Sequence, residues 1–140
     1  MILLDAFALV ALVLGESAAS AVHTLTRSSE TGIGTVNLAE TVDVLIRLKR
    51  VPAEQCRKTV EPLLGTAIAT VAFEERHAWR AAEIRSTHYH RTRRPLSLGD
   101  CALLAVAEPS DGIATADKHV LAAATAEGIH AIELPRPKRR

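Results

Sequence analysis

The chain has 140 residues, a length that suits one domain with a single sizeable core. Its formal net charge of +1 excludes a strong overall attraction to nucleic acid or anionic membrane, so any such contact must come from local clusters. Hydrophobic residues make up 48% but aromatics only 3%, so the core has to be built from Ala, Val, Leu and Ile.

The opening MILLDAFALVALVLGESAAS has the apolar run of an export signal, but not its charge pattern. Asp5 stands where Lys or Arg is needed, and the first basic side chain is Arg27. The run is also shorter than the about 20 residues that span a bilayer. The expectation is a cytoplasmic chain with no membrane contact, in which Ile2–Leu4 is a strand and Ala6–Leu14 a helix. Further helices are predicted over residues 17–28, 38–50, 53–64, 73–87, 102–107 and 118–127. In the second of these Leu38, Val42, Leu45 and Ile46 share a face, and Pro52 ends it. Short apolar runs at 33–36, 67–71, Gly112–Thr115 and 131–134 read as strands. Such alternation predicts an α/β fold with a mostly parallel central sheet of about five strands, flanked by helices on both faces. Residues 135–140, PRPKRR, have nothing to bury and are expected to form a mobile basic tail beyond a domain spanning 1–134.

Ligands of open α/β sheets bind beyond the carboxyl ends of the strands, and there this sequence places acids. Asp5 follows the first strand, Glu40 lies early in the helix after the second, and Asp117 follows Gly112–Thr115. Asp100 opens the helix that leads into that last strand. Each has a plain structural explanation. Asn37 with Glu40 in NLAE, and Ser97 with Asp100 in SLGD, have capping-box spacing, while Asp5 and Asp117 suit simple N-caps. Four carboxylates at one dry edge would repel one another, however, a cost that capping does not require and that a divalent cation removes. An all-oxygen cluster suits Mg²⁺ or Mn²⁺, and the fitting chemistry is hydrolysis of a phosphodiester.

The segments ILLDAFALVALVLGE, NLAE, LSLGDCALLAVA and GIATAD, in that order, resemble the PIN domain, and within it the VapC-type toxin ribonucleases of toxin–antitoxin pairs. The resemblance implies a Mg²⁺- or Mn²⁺-dependent endoribonuclease with Asp5, Glu40, Asp100 and Asp117 as its catalytic and metal-holding acids. It further implies support from the Thr115 hydroxyl, a structured substrate such as transfer or ribosomal RNA, and inhibition by a cognate VapB-like antitoxin. A homodimer is implied too, with operator DNA bound only through the antitoxin. One departure stands out: many relatives carry Ser or Thr where this chain has Phe7. A housekeeping RNA-processing nuclease of the same fold and an inert RNA- or protein-binding module stay open as alternatives.

The basic stretch RSTHYHRTRRP before the Asp100 helix concentrates Arg85, Arg91, Arg93 and Arg94 around Tyr89. It is expected either to supply phosphate contacts and base stacking at the rim or to be a solvated loop. His88 and His90 read as exposed side chains rather than metal ligands, because an HxH pair lacks a third partner. Cys56 and Cys101 lack zinc spacing and read as reduced core thiols, with no base to make Cys101 a nucleophile. Trp79 and Phe73 are expected in the core or at a dimer contact.

Overall fold

The computed structural model describes residues 1–137. Five strands, β1 (Ile2–Leu4), β2 (Thr31–Gly34), β3 (Ala69–Val71), β4 (Gly112–Thr115) and β5 (His130–Glu133), form one sheet in the order β3-β2-β1-β4-β5. Every pairing is parallel, with Ile2 aligned to both Thr31 and Gly112. Each crossover contains a helix: α1 (Ala6–Leu14) and α2 (Ala19–Ser28) after β1, and α3 (Thr35–Asp43) and α4 (Ala53–Val60) after β2. Then come α5 (Glu75–His88) and α6 (Leu98–Val106) after β3, and α7 (Lys118–Ala126) after β4.

Side chains alternate across a strand, so β1 sends Leu3 to one face and Leu4 to the other. Leu3 and Ile113 pack under α5, α6 and α7 with Ile84, Leu103, Leu104, Val120 and Ala123. Leu4, Ile33 and Ala114 pack under α1 to α4 with Leu9, Val22, Leu45, Val60 and Ile68. Helices therefore cover both faces, as expected, and Cys56 and Cys101 are buried thiols. Among the described residues no single helix is long and apolar enough to cross a membrane; α1 spends its hydrophobicity on the core instead.

Several boundaries differ from the sequence-based expectation. Strand β2 starts and ends two residues early, because Thr31 aligns with Ile2 and its hydroxyl donates to the Ala67 carbonyl at 2.7 Å. The following helix then starts at Thr35 with Gly34 as its N-cap, so Asn37 and Glu40 lie inside it and NLAE is not a capping box. That helix does not run straight to residue 50: it loosens into a π-helical turn, Val44–Leu48, before Arg50 closes it with φ 59°. Beyond α4 a 3₁₀ turn, Glu61–Leu63, replaces the last helical residues, with Pro62 at its start. The edge strands β3 and β5 are partly exposed rather than buried on both faces.

Candidate active site

Four helices begin or pass at the carboxyl edge of β1, β2 and β4, and their sequences put an acid on each. Asp5 is the N-cap of α1, its Oδ1 accepting from the Ala8 N–H at 2.7 Å. Asp117 caps α7 through the His119 N–H at 2.7 Å. Asp100 forms a true capping box with Ser97: its Oδ2 accepts from the Ser97 N–H at 2.8 Å and its own N–H donates to the Ser97 hydroxyl at 3.0 Å. The cap expected at Asp5, Asp100 and Asp117 is therefore observed at each, and it fixes the direction in which each carboxylate points. Glu40 stands two turns into α3.

Asp5, Glu40, Asp100 and Asp117 line a single open cleft of about 420 Å³, together with Ala6, Phe7, Asn37, Ala116, Arg136 and Pro137. The Thr115 hydroxyl donates to Asp5 Oδ2 and accepts from the Asp117 N–H at 3.1 Å, so one buried side chain orients two of the acids. Asn37 Nδ2 donates to the Gly99 carbonyl at 3.1 Å, tying α3 to the first turn of α6. Its Oδ1 is buried without a partner among the described residues. At Gly99 a Cβ would stand 2.9 Å from Glu40 Oε2, so only glycine leaves that carboxylate where it is.

The electrostatics follow from the crowding. Burial, chiefly, raises the Asp5 carboxyl to about 6, with Asp100 and Glu40 adding repulsion and the Thr115 hydroxyl and Ala8 N–H opposing it. Burial also raises Glu40, helped by Asp100 and Asp43, and raises Asp100, helped by Asp117. His119 faces Asp100 closely enough to offset part of that rise. Burial pushes the neighbouring Cys101 thiol up to about 11, which removes it as a nucleophile at neutral pH. Among the described residues no three His, Cys, Asp or Glu side chains are drawn into a closed ligand set. The donors are nonetheless all oxygen and mutually repelling, which fits a hard divalent cation held by a few carboxylates and water.

The sequence from residue 2 to residue 128 matches the family model described as the PIN domain. The chain belongs to the PIN domain family. No match was found among curated proteins. The fold of this PIN domain is similar to that of VapBC2 from Rickettsia felis, solved bound to a DNA fragment from its promoter (TM-score 0.71, 14% identity, covering 96% of this chain and 100% of that one). It is also similar to FitAcB from Neisseria gonorrhoeae (TM-score 0.68, 23% identity, 95% and 97% covered). A third likeness is to VapC20 from Mycobacterium tuberculosis, a toxin that cleaves the sarcin–ricin loop (TM-score 0.62, 18% identity, 95% and 88% covered). The VapC-like fold expected from the sequence is thus the fold observed.

The basic stretch of this PIN domain does not line the acid cleft. Arg85 Nε donates to the Leu96 carbonyl at 3.2 Å and its guanidinium stacks 4.5 Å from the Tyr89 ring centre. Arg94 reaches His88 Nδ1 at 3.1 Å, and His88 Nε2 lies 2.7 Å from Glu127 at the end of α7. His90 Nδ1 accepts from the N–H groups of Thr92 and Arg93 at 3.2 and 3.0 Å. The two histidines expected in solvent are therefore half-buried fasteners of the loop, whereas Arg91 and Arg93 are exposed. Trp79 is not in the core: it stands 68% exposed on α5, and Tyr89 at the end of that helix and Leu98 at the start of α6 are exposed too, while Phe73 packs against the core and beside His77.

Sequence reasoning missed Arg136 and Pro137 at the cleft, having assigned them to a tail. The available signal was position, since they follow the carboxyl end of β5 just as Asp5 and Asp117 follow theirs. Lys138, Arg139 and Arg140, also expected in that tail, lie outside the described residues.

Proposed function

We propose that this PIN domain is a divalent-metal-dependent endoribonuclease of the toxin–antitoxin type. The observation that carries this reading is the meeting of Asp5, Glu40, Asp100 and Asp117 in one cleft, with Asp5 raised by burial and by its fellow acids. Asp5, Asp100 and Asp117, with Glu40 at the rim, would hold Mg²⁺ or Mn²⁺. Such an ion polarises a phosphoryl oxygen and eases deprotonation of water. Around it the chain's own groups have defined work. Thr115 and the Ala8 N–H fix Asp5, Ser97 fixes Asp100 and the His119 N–H fixes Asp117, while burial raises the Asp5 carboxyl to about 6. In the hydrolysis a water oxygen bonds to phosphorus, the bond to the leaving sugar oxygen breaks, and the water proton ends on that oxygen or in solvent.

Structured RNA, transfer or ribosomal, is the substrate class this reading carries, and the likeness to a sarcin–ricin loop cleaving toxin supports it. A cognate VapB-like antitoxin is the partner, supported by the likeness to a chain of the VapBC2 complex on promoter DNA; operator DNA would be met only through that partner. The exposed face around Trp79 and Leu98 is the surface on which a second copy would pack. The reading places the protein in the cytoplasm, with its RNA.

The decisive experiment incubates purified protein with total RNA, with Mg²⁺, Mn²⁺ or a chelator, beside Asp5→Asn. The expected result is metal-dependent cleavage that the variant lacks. Equal cleavage by both, or cleavage indifferent to chelator, overturns the metal site. Induced expression should arrest growth, and co-expression of an adjoining antitoxin gene should relieve it.

A further inference from the structure

We propose that Arg136 is a substrate-positioning residue, the cation that receives the RNA phosphodiester at the acid cleft. The inference rests on the nuclease reading above and names a residue that reading does not need.

Four carboxylates line the cleft, and Arg136 is the one cationic side chain among its described lining residues. A phosphodiester approaching such a wall is repelled unless positive charge faces it from the other side. Its placement is set by the fold. Thr115 pairs with Glu133 at the end of β4, and the Leu134 N–H donates to the Thr115 carbonyl at 2.9 Å, two residues before Arg136. Leu134 is itself 2% exposed and locked in the core. The chain therefore leaves the sheet directly beside the residue that orients Asp5 and Asp117.

Pro135 and Pro137 bracket the arginine. Pro135 has a restricted φ, and Pro137 biases Arg136 itself towards an extended backbone. Presenting the guanidinium then costs less chain entropy than it would from a free tail. Its contact within the chain is weak, a 3.4 Å approach to Glu133 with both side chains more than half exposed, so the fork can turn to a phosphate. Arginine suits this task because two parallel N–H donors match two phosphate oxygens.

The test compares wild type, Arg136→Gln, Arg136→Lys and, as a control for overall charge, Arg27→Gln at the far end of α2. Two readouts are taken. Cleavage kinetics with Mg²⁺ should show KM raised about 10-fold to 100-fold in Arg136→Gln with kcat little changed, since a charged hydrogen-bonded pair is lost from ground and transition state alike. Arg136→Lys should recover part of the loss, and Arg27→Gln should behave as wild type. Binding of a fluorescein-labelled RNA stem-loop in chelator should show the salt dependence of affinity falling by about one counterion in Arg136→Gln alone. Unchanged KM and salt slope overturn the proposal. Faster cleavage by Arg136→Gln also overturns it, because the guanidinium would then be plugging the cleft. If wild type cleaves no RNA, the nuclease reading fails, and the metal-free binding still decides whether Arg136 meets phosphate.

Discussion

Thr115 at the end of β4 donates its hydroxyl hydrogen to Asp5 just beyond β1, joining two residues 110 positions apart. The same oxygen accepts the Asp117 N–H, so the contact is a hub rather than a pair. Thr115→Val keeps the shape and deletes the hydroxyl, leaving a buried carboxylate oxygen and a backbone N–H short of a partner. Urea unfolding should show a loss of about 1–3 kcal/mol. The acid limb of RNA cleavage should move to higher pH, because the contact that lowers the Asp5 pKa is gone. Thr115→Ser should keep the wild-type limb.

Metal-free protein should lose stability as pH rises from about 4 to about 6. Asp5 titrates at about 6 in the fold against 3.8 in the unfolded chain, so in that window the folded state binds more protons and rising pH favours unfolding. The loss is at most about 3 kcal/mol and levels off above the folded value. Glu40 and Asp100 act in the same direction. Thermal melts across this range should flatten in Asp5→Asn. Above pH about 6, Mg²⁺ or Mn²⁺ should raise the melting temperature of wild type more than that of the variant.

Gly99→Ala separates activity from stability. A methyl there would meet Glu40 Oε2 at 2.9 Å, and that flexible side chain is what would move. Helical Gly→Ala is favourable by roughly 0.5–1 kcal/mol, so melts should show an unchanged or slightly raised midpoint. RNA cleavage should nonetheless fall, by about tenfold, as the Glu40 carboxylate is turned from the cleft.

The loop between α5 and α6 should divide by role. Arg91→Ala with Arg93→Ala should weaken RNA binding and reduce its salt dependence with no change in unfolding. His88→Ala should do the reverse, lowering stability by about 1 kcal/mol through loss of its contacts to Arg94 and Glu127.

Trp79→Glu and Leu98→Glu address the exposed face of α5 and α6. If two copies meet there, light scattering should show a dimer for wild type and a monomer for the double variant, since paired carboxylates at an apolar contact are repelled and desolvated.

The sheet, its parallel sense and the four acids were legible because the strands are short, mostly apolar runs separated by helical pattern, and Asp5 and Asp117 stand just beyond two of them. What the sequence hid was register. Nothing local marks Thr31 rather than Ile33 as the start of β2, since the choice is made by pairing with Ile2 and by the Ala67 carbonyl. The NLAE segment imitates a capping box so well that only the position of Gly34 shows otherwise. His88 of the basic loop looked solvated because its partner Glu127 lies 39 residues away. Arg136 was hidden by composition: a run of prolines and basic residues looks unstructured until Leu134 is known to anchor it.

The strand order has a consequence for the timing of the protein's synthesis. Strand β1 is made first, yet one of its two neighbours, β4, comes from Gly112–Thr115. A ribosome-bound chain that has not yet released that segment carries Asp5, Glu40 and Asp100 but has neither Asp117 nor the hydroxyl that orients Asp5. A growing chain therefore has an incomplete acid cleft, and the site is assembled only when the last quarter of the polypeptide folds.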